Sequence, residues 1–174
     1  YENLFVLLAV PLFIFTAKVM NASQLTDRLF DFAKVLVGPM RGGLGHVNIV
    51  SSIIFAGMSG SEIADVSGLG TVEIKAMKDH GYDDGFSCAI TAASATIGPV
   101  FPPSIPMIFY AMLSGASIGA LFLGGIVPGV LLAAALIVYV AIISNKRNYP
   151  LGKKSGLKML IVLTILATLS GGLL

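Results

Sequence analysis

Ser94-Ala95-Thr96-Ile97-Gly98-Pro99-Val100-Phe101-Pro102-Pro103-Ser104-Ile105-Pro106 sets four prolines into an otherwise apolar run. Proline lacks a backbone N–H and its ring clashes with the preceding turn, so no regular α-helix continues through this stretch. The 61 residues from Gly85 to Asn145 around it hold no Asp, Glu, Lys or Arg. A spanning helix takes about 20 apolar residues, so the run has length for two crossings and a break. A second interruption, Gly57-Met58-Ser59-Gly60-Ser61-Glu62-Ile63-Ala64-Asp65-Val66-Ser67-Gly68-Leu69-Gly70, also lies against an apolar run. In lipid an unpaired backbone amide or carbonyl is costly. Irregular backbone persists at membrane depth only where protein buries it or where it lines a cavity. Two such breaks in one short chain point to an ion and substrate site of transporter type.

Composition supports a membrane setting. The chain is 56% hydrophobic and 11% charged, whereas soluble domains carry about 25% charged residues. Mean hydropathy is +0.91. Contact with the lipid bilayer is expected and a nucleic-acid partner is not. The single cysteine, Cys88, excludes an internal disulfide framework and reads as a small packing residue. His46 and His80 lack metal-ligand spacing, so no transition-metal site is expected. Because the chain starts at Tyr1 and ends in an apolar run, it is expected to be a fragment cut at or near a helix at each end.

The expected organisation is a single all-α integral membrane domain, 1–174. A transmembrane helix covers 3–20. An amphipathic interfacial helix covers 23–38, with Leu25, Leu29, Phe32 or Ala33, Leu36 and Val37 on one face. Residues 42–77 form a re-entrant helical hairpin with its tip in the Gly/Ser stretch, and Thr71–Asp79 is an exposed helical part of its second arm. Gly81 suits a C-cap, and Asp83 or Asp84 an N-cap. Residues 86–114 are a proline-broken transmembrane helix, 118–144 a full span, and 157–174 the start of another. The hairpin is preferred to a single crossing because it places all 11 lysines and arginines on one side, as the positive-inside rule asks.

The first break offers the Ser59, Ser61 and Ser67 hydroxyls, the carbonyls of residues 57–60, and the Glu62 and Asp65 carboxylates. The second offers the Thr91, Ser94, Thr96 and Ser104 hydroxyls and carbonyls near Gly98. Unwound backbone and half-helix ends coordinate a cation such as Na⁺, while half-helix N-termini attract anionic groups. Against this stands the ordinary role of Ser and Thr in membrane helices, a bond back to their own helix or to a neighbour. Asp65 is either an ion-site carboxylate or the N-cap of the second hairpin arm. Asn48 is either a ligand or an interhelical hydrogen bonder.

Gly42-Gly43-Leu44, Phe55 to Ser61, Ala64-Asp65, Gly81-Tyr82-Asp83, Thr91 to Ser94, Ile97-Gly98-Pro99, Pro102 to Pro106 and Leu121 to Gly129 together resemble the large membrane subunit of tripartite ATP-independent periplasmic (TRAP) transporters. The resemblance covers nearly the whole chain and corresponds to the first inverted repeat. It implies half of an inverted-repeat, elevator-type secondary transporter, multi-pass in the bacterial inner membrane. Its expected partners are a small membrane subunit and a periplasmic solute-binding protein. Na⁺ is the implied coupling ion, with no other cofactor. The implied substrate is an organic acid of C4-dicarboxylate or sialic-acid type. By position, Ser59, Gly60, Ser61, Asp65, Ser94, Thr96 and Gly98 would bind Na⁺. Ser61, Ser94, Pro103 and Ser104 would bind substrate. Glu62 departs from the small or apolar residue expected at its place. Two rival readings are an intramembrane enzyme using Glu62 and Asp65 as an acid–base pair, and a structural membrane subunit without a site.

Overall fold

The computed structural model describes residues 25–151 together with Pro11, Leu12, Phe15 and Val19. Apart from those four residues, the expected span 3–20 lies outside the described residues, as does the expected helix start at 157–174. The described chain is helical. Its elements are α1 (Leu25–Val37), α2 (Gly43–Ser59), α3 (Glu62–Asp65), a π turn (Val66–Gly70), α4 (Thr71–Asp79), α5 (Asp84–Ala95), α6 (Ile105–Ser114) and α7 (Ile118–Lys146).

Helix α2 is the centre. Most of its residues are buried, on every side, as expected for a helix that is apolar all round. Helix α1 lies along it and buries Phe30 and Ala33, with Leu29 and Val37 partly buried. Leu36, expected on the same apolar face as Leu29 and Val37, is exposed. The stripe packed against α2 includes Phe30, part of a turn from the expected face.

Gly60 turns the chain at the end of α2 with a left-handed φ of 59° and donates its N–H to Ala56 O at 3.0 Å. Ser61 then caps α3 by accepting from the Ala64 N–H at 3.4 Å. α3, the π turn and α4 run on as one irregular helix and fold back along α2. Ser51 on α2 meets Glu73 on α4. A helical hairpin is therefore present. Its second arm is not simply exposed over Thr71–Asp79, because Glu73 and Met77 are buried. Gly81 leaves the arm at φ 80°, and Asp83 caps α5 by accepting from Phe86 N–H at 3.0 Å. Cys88, expected to pack inside, is exposed on α5.

The proline stretch separates α5 from α6 without leaving its backbone idle. The Val100 and Phe101 amides both donate to Ile97 O, at 3.1 and 2.7 Å. Ser104 donates to Pro99 O at 2.6 Å and accepts from Met107 N–H at 3.4 Å, which caps α6. Gly115 ends α6 in a left-handed conformation and Ser117 caps α7. Helix α7 is the one described helix long and apolar enough to cross a membrane. Its 29 residues give roughly 43 Å at ~1.5 Å per residue, more than the ~30 Å of a hydrocarbon core.

Both feet of the hairpin meet the end of α7. Gly42 donates its N–H to Pro150 O at 3.3 Å, and Arg41 to Asn148 Oδ1 at 3.4 Å. Tyr82, just past α4, stacks on Tyr149 with ring centroids 4.4 Å apart. Arg147 pairs with Asp83 and Lys78 with Asp84. These ion pairs are exposed and contribute little. The aromatic stack and the backbone bonds carry the junction. Burial pushes the Tyr82 hydroxyl up to about 12, so it stays neutral there.

Gly42 tests this seat. Its φ is 71°, and a Cβ would fall 1.8 Å from Ser144 Oγ. Gly42→Ala should destabilise the complete subunit by about 2–4 kcal/mol, from left-handed strain plus overpacking. In α7, Gly124 has open space around it, and Gly124→Ala should be neutral or stabilising by up to about 1 kcal/mol. Thermal denaturation of both variants in detergent separates the two outcomes.

Candidate functional site

The hairpin tip and the proline break are in direct contact. The Ile105 N–H, at the start of α6, donates to Gly60 O at 3.2 Å. A Cβ on Gly60 would lie 2.7 Å from Pro103 O, and one on Gly98 would lie 3.3 Å from Glu62 N. Glycine at both positions thus lets two irregular backbones approach each other closely. Ser59 and Ser104 are fully buried at this junction, and Ser59 Oγ accepts from the Ser61 N–H at 3.4 Å.

Behind the junction runs a buried chain of hydrogen bonds joining α2 to α5. Ser52 donates to Ser94 Oγ at 3.1 Å. Ser94 donates to Asn48 Oδ1 at 2.6 Å. Asn48 Nδ2 donates to Thr91 Oγ1 at 2.7 Å, and Thr91 donates to Ser87 O at 2.9 Å. Every member has a partner in one consistent direction, an arrangement in which each bond polarises the next. Ser52 also faces the carboxylate of Asp65 on the second arm. Asp65 is 3% exposed and its Oδ1 has no hydrogen-bond partner.

The expected site residues therefore separate. Gly60, Ser61, Gly98, Pro103 and Ser104 come together at the junction, with Ser59 beside them. Ser94 and Asp65 lie behind it, linked through Ser52. Thr96 is exposed and its hydroxyl returns to Ala93 O at 2.7 Å. Ser67 is likewise exposed and bonds Ile63 O at 2.7 Å. Both follow the ordinary back-bonding pattern. Asp65 is not the cap of the second arm, because Ser61 fills that place. Glu62 is exposed while Asp65 is buried, so the two carboxylates do not converge as an acid–base pair. Asn48 is an interhelical hydrogen bonder and the hub of the chain. Ser51, Ser52 and Glu73 escaped the sequence reading. A signal was present: polar residues inside a helix buried on all sides must find partners.

No lysine or arginine occurs in residues 42–74 or 85–145, whereas Glu62 and Asp65 do. The surroundings of the junction thus combine carboxylate, hydroxyl and amide oxygens with no basic side chain of their own. Such a donor set suits a hard cation held by oxygen.

The family described as "Tripartite ATP-independent periplasmic transporter, DctM component" matches residues 3–169. The chain is 53% identical to the sialic acid TRAP transporter large permease protein SiaM of Vibrio cholerae, over 83% of this chain and 34% of that protein. It is 53% identical to the sialic acid TRAP transporter permease protein SiaT of Haemophilus influenzae, over 84% of this chain and 24% of that protein. It is 35% identical to the C4-dicarboxylate TRAP transporter large permease protein DctM of Vibrio cholerae, over 97% of this chain and 40% of that protein. The chain thus spans between a quarter and two fifths of these relatives. They are transporter permeases and not enzymes, so the enzyme reading of Glu62 and Asp65 falls.

The buried chain has a measurable signature. Ser94 and Asn48 should couple by about 0.5–2 kcal/mol in a double-mutant cycle of Ser94→Ala and Asn48→Leu, read by thermal denaturation. Additive effects would contradict a direct bond.

Proposed function

The chain belongs to the DctM component family of tripartite ATP-independent periplasmic transporters, and from that premise we propose that it forms the first inverted repeat of the large permease subunit of a secondary transporter. The transporter imports an organic acid of the sialic-acid or C4-dicarboxylate class, coupled to Na⁺. It sits multi-pass in the bacterial inner membrane, works with a small membrane subunit, and receives substrate from a periplasmic solute-binding protein. The relatives' names support the substrate class.

The observation that carries the proposal is the bond between the tip and the break, from the Ile105 N–H to Gly60 O, with buried Asp65 close behind. A pure packing unit has no need of two helix interruptions meeting beside a buried carboxylate with one oxygen bare. Na⁺ would take oxygens from the 59–61 tip, from the break near Gly98 and from the polar layer of Asp65 and Ser94. The substrate would bind alongside, at Ser61, Pro103 and Ser104.

The orientation follows from charge. Arg41, Lys78 and Arg147 gather where the hairpin feet meet the end of α7. The positive-inside rule makes that end cytoplasmic. The hairpin then enters and leaves from the cytoplasm, and α7 crosses the bilayer. Alternating access would move one bundle against another, in the manner of an elevator.

Two measurements test this reading. A cysteine at Asp79 should be labelled only from the cytoplasm and one at Ala116 only from the periplasm. In proteoliposomes holding the complete system, uptake should require a Na⁺ gradient. Asp65→Asn should raise the Na⁺ concentration for half-maximal uptake by about tenfold, the factor expected for a loss near 1.4 kcal/mol. An unchanged Na⁺ activation curve in that variant would remove Asp65 from the ion site.

A further inference from the structure

Glu73 is the most deeply placed acid among the described residues, and nothing above gives it a role. It is 1% exposed, and its Oε2 has no hydrogen-bond partner. Its Oε1 meets the Ser51 hydroxyl on α2. Neither ion pair among the described residues involves it. Lys75 and Lys78 on its own helix are exposed, and Lys78 is paired with Asp84.

We propose that Glu73 is held as the neutral carboxylic acid, donates its proton to the Ser51 hydroxyl, and so bolts the two hairpin arms in the register that brings Ser52 and Asn48 to Ser94. It is a positioning residue, separate from any ion ligand.

The first support is the count of protons at Ser51. A serine hydroxyl has one proton to donate and two lone pairs. Ser51 Oγ lies 2.8 Å from Val47 O and 3.1 Å from Asn48 O. Those carbonyls only accept, and the first is the usual back-bond of a helical serine. Once the Ser51 proton serves Val47, the contact with Glu73 needs a proton from the acid. The chain then reads Glu73 to Ser51 to Val47 O, with each proton donated once and only a neutral carbonyl oxygen, Oε2, left bare. An ionised Glu73 would instead take the only Ser51 proton and bury a charge with a bare second oxygen. Burying an unpaired charge is the costlier arrangement by far.

The second support is the helix itself. Asp65, Leu69, Glu73 and Met77 are all buried, at intervals of four. In a regular α-helix a four-residue stripe drifts by about 40° per step, at 3.6 residues per turn. The π turn at Val66–Gly70 inserts in effect one extra residue, as such turns do at functional sites. From 65 to 73, eight positions then count as seven, and the drift falls to about 20°. The irregular turn therefore keeps Glu73 on the face that meets α2. Asp65 stands two turns away, across Leu69.

The third is what the bolt controls. Ser51 is next to Ser52 and one turn from Asn48, the two α2 residues that hold Ser94. A slip of the arms at Ser51 displaces both contacts at once.

Infrared spectroscopy tests the proton directly, on the complete subunit and independently of any transport reading. At neutral pH the wild-type protein should show the carbonyl stretch of a protonated carboxyl group, and Glu73→Gln should lack it. Glutamine keeps both a donor for Ser51 and the volume. Its Na⁺-driven uptake should stay within about threefold of wild type, while Glu73→Leu, with no donor, should fall by roughly tenfold. No band lost in Glu73→Gln would show an ionised side chain and overturn the proposal. A glutamine variant as impaired as the leucine variant would show that the acid must release its proton, which also overturns it. Should Glu73→Leu fail to fold, the spectrum and the glutamine variant still decide.

Discussion

A backbone that leaves the helix within a bilayer has neither water nor lipid to bond, so its amides and carbonyls must be met by protein. In this chain the hairpin tip and the proline break are joined through the Ile105 amide and the Gly60 carbonyl. The rest of the described structure keeps these two irregular segments in place. Gly60 has no side chain because Pro103 O occupies the space where one would begin, and Gly98 is confined in the same way by the backbone of Glu62 and Ser61. Ser61 and Ser104 cap the two helices that start at the junction. Each helix start is thus stabilised locally, and only the union of the two is long-range.

Behind the junction, stability depends on direction. The chain from Ser52 through Ser94, Asn48 and Thr91 to Ser87 O uses each hydroxyl and amide once as donor. A displaced member leaves a buried polar atom without a partner, which costs about 1–3 kcal/mol. Such a chain tolerates little sliding of α2 against α5. The contact between Ser51 and Glu73, beside Ser52 and one turn from Asn48, is the natural restraint against that sliding. The foot of the hairpin, seated by Gly42 against Ser144, fixes the same helix at its other end.

Much of this was legible in the sequence. Proline has a fixed local consequence, so the break between α5 and α6 could be placed to within a residue or two. The tip at Gly60, the left-handed exit at Gly81 and the cap at Asp83 or Asp84 also depend on local backbone chemistry. The misses concern partners far apart in the chain. Asn48 and Ser94 are 46 residues apart, and Ser51 and Glu73 are 22 apart, so no periodicity links them. The charged pattern of Thr71–Asp79 predicts an exposed helix, and Glu73 within it is buried. The stripe of Asp65, Leu69 and Met77 around it was the available warning, and it needed the π turn to keep its alignment. Thr96 shows a different ambiguity. It lies in the expected break, but a hydroxyl can always return to its own helix, and this one does. Leu36 shows that an amphipathic pattern fixes a face only to within part of a turn when the neighbour is a helix.

The distribution of charge gives the proposed transport a physical order. The basic residues of the described chain lie outside 42–74 and 85–145, while Asp65 is buried between the hairpin arms and Glu62 is exposed at the tip. When Asp65 is ionised, it is a buried negative charge behind the junction. A substrate carboxylate placed 4 Å from it would be repelled by about 4 kcal/mol at an effective dielectric constant of 20. That is close to a thousandfold in affinity at about 1.4 kcal/mol per tenfold. A Na⁺ ion bound first would remove this term and leave the α6 helix start free to attract the anion. An organic anion should then bind to this half of the site only after the cation. Coupling would arise from the electrostatics of one buried carboxylate, without any direct contact between ion and substrate.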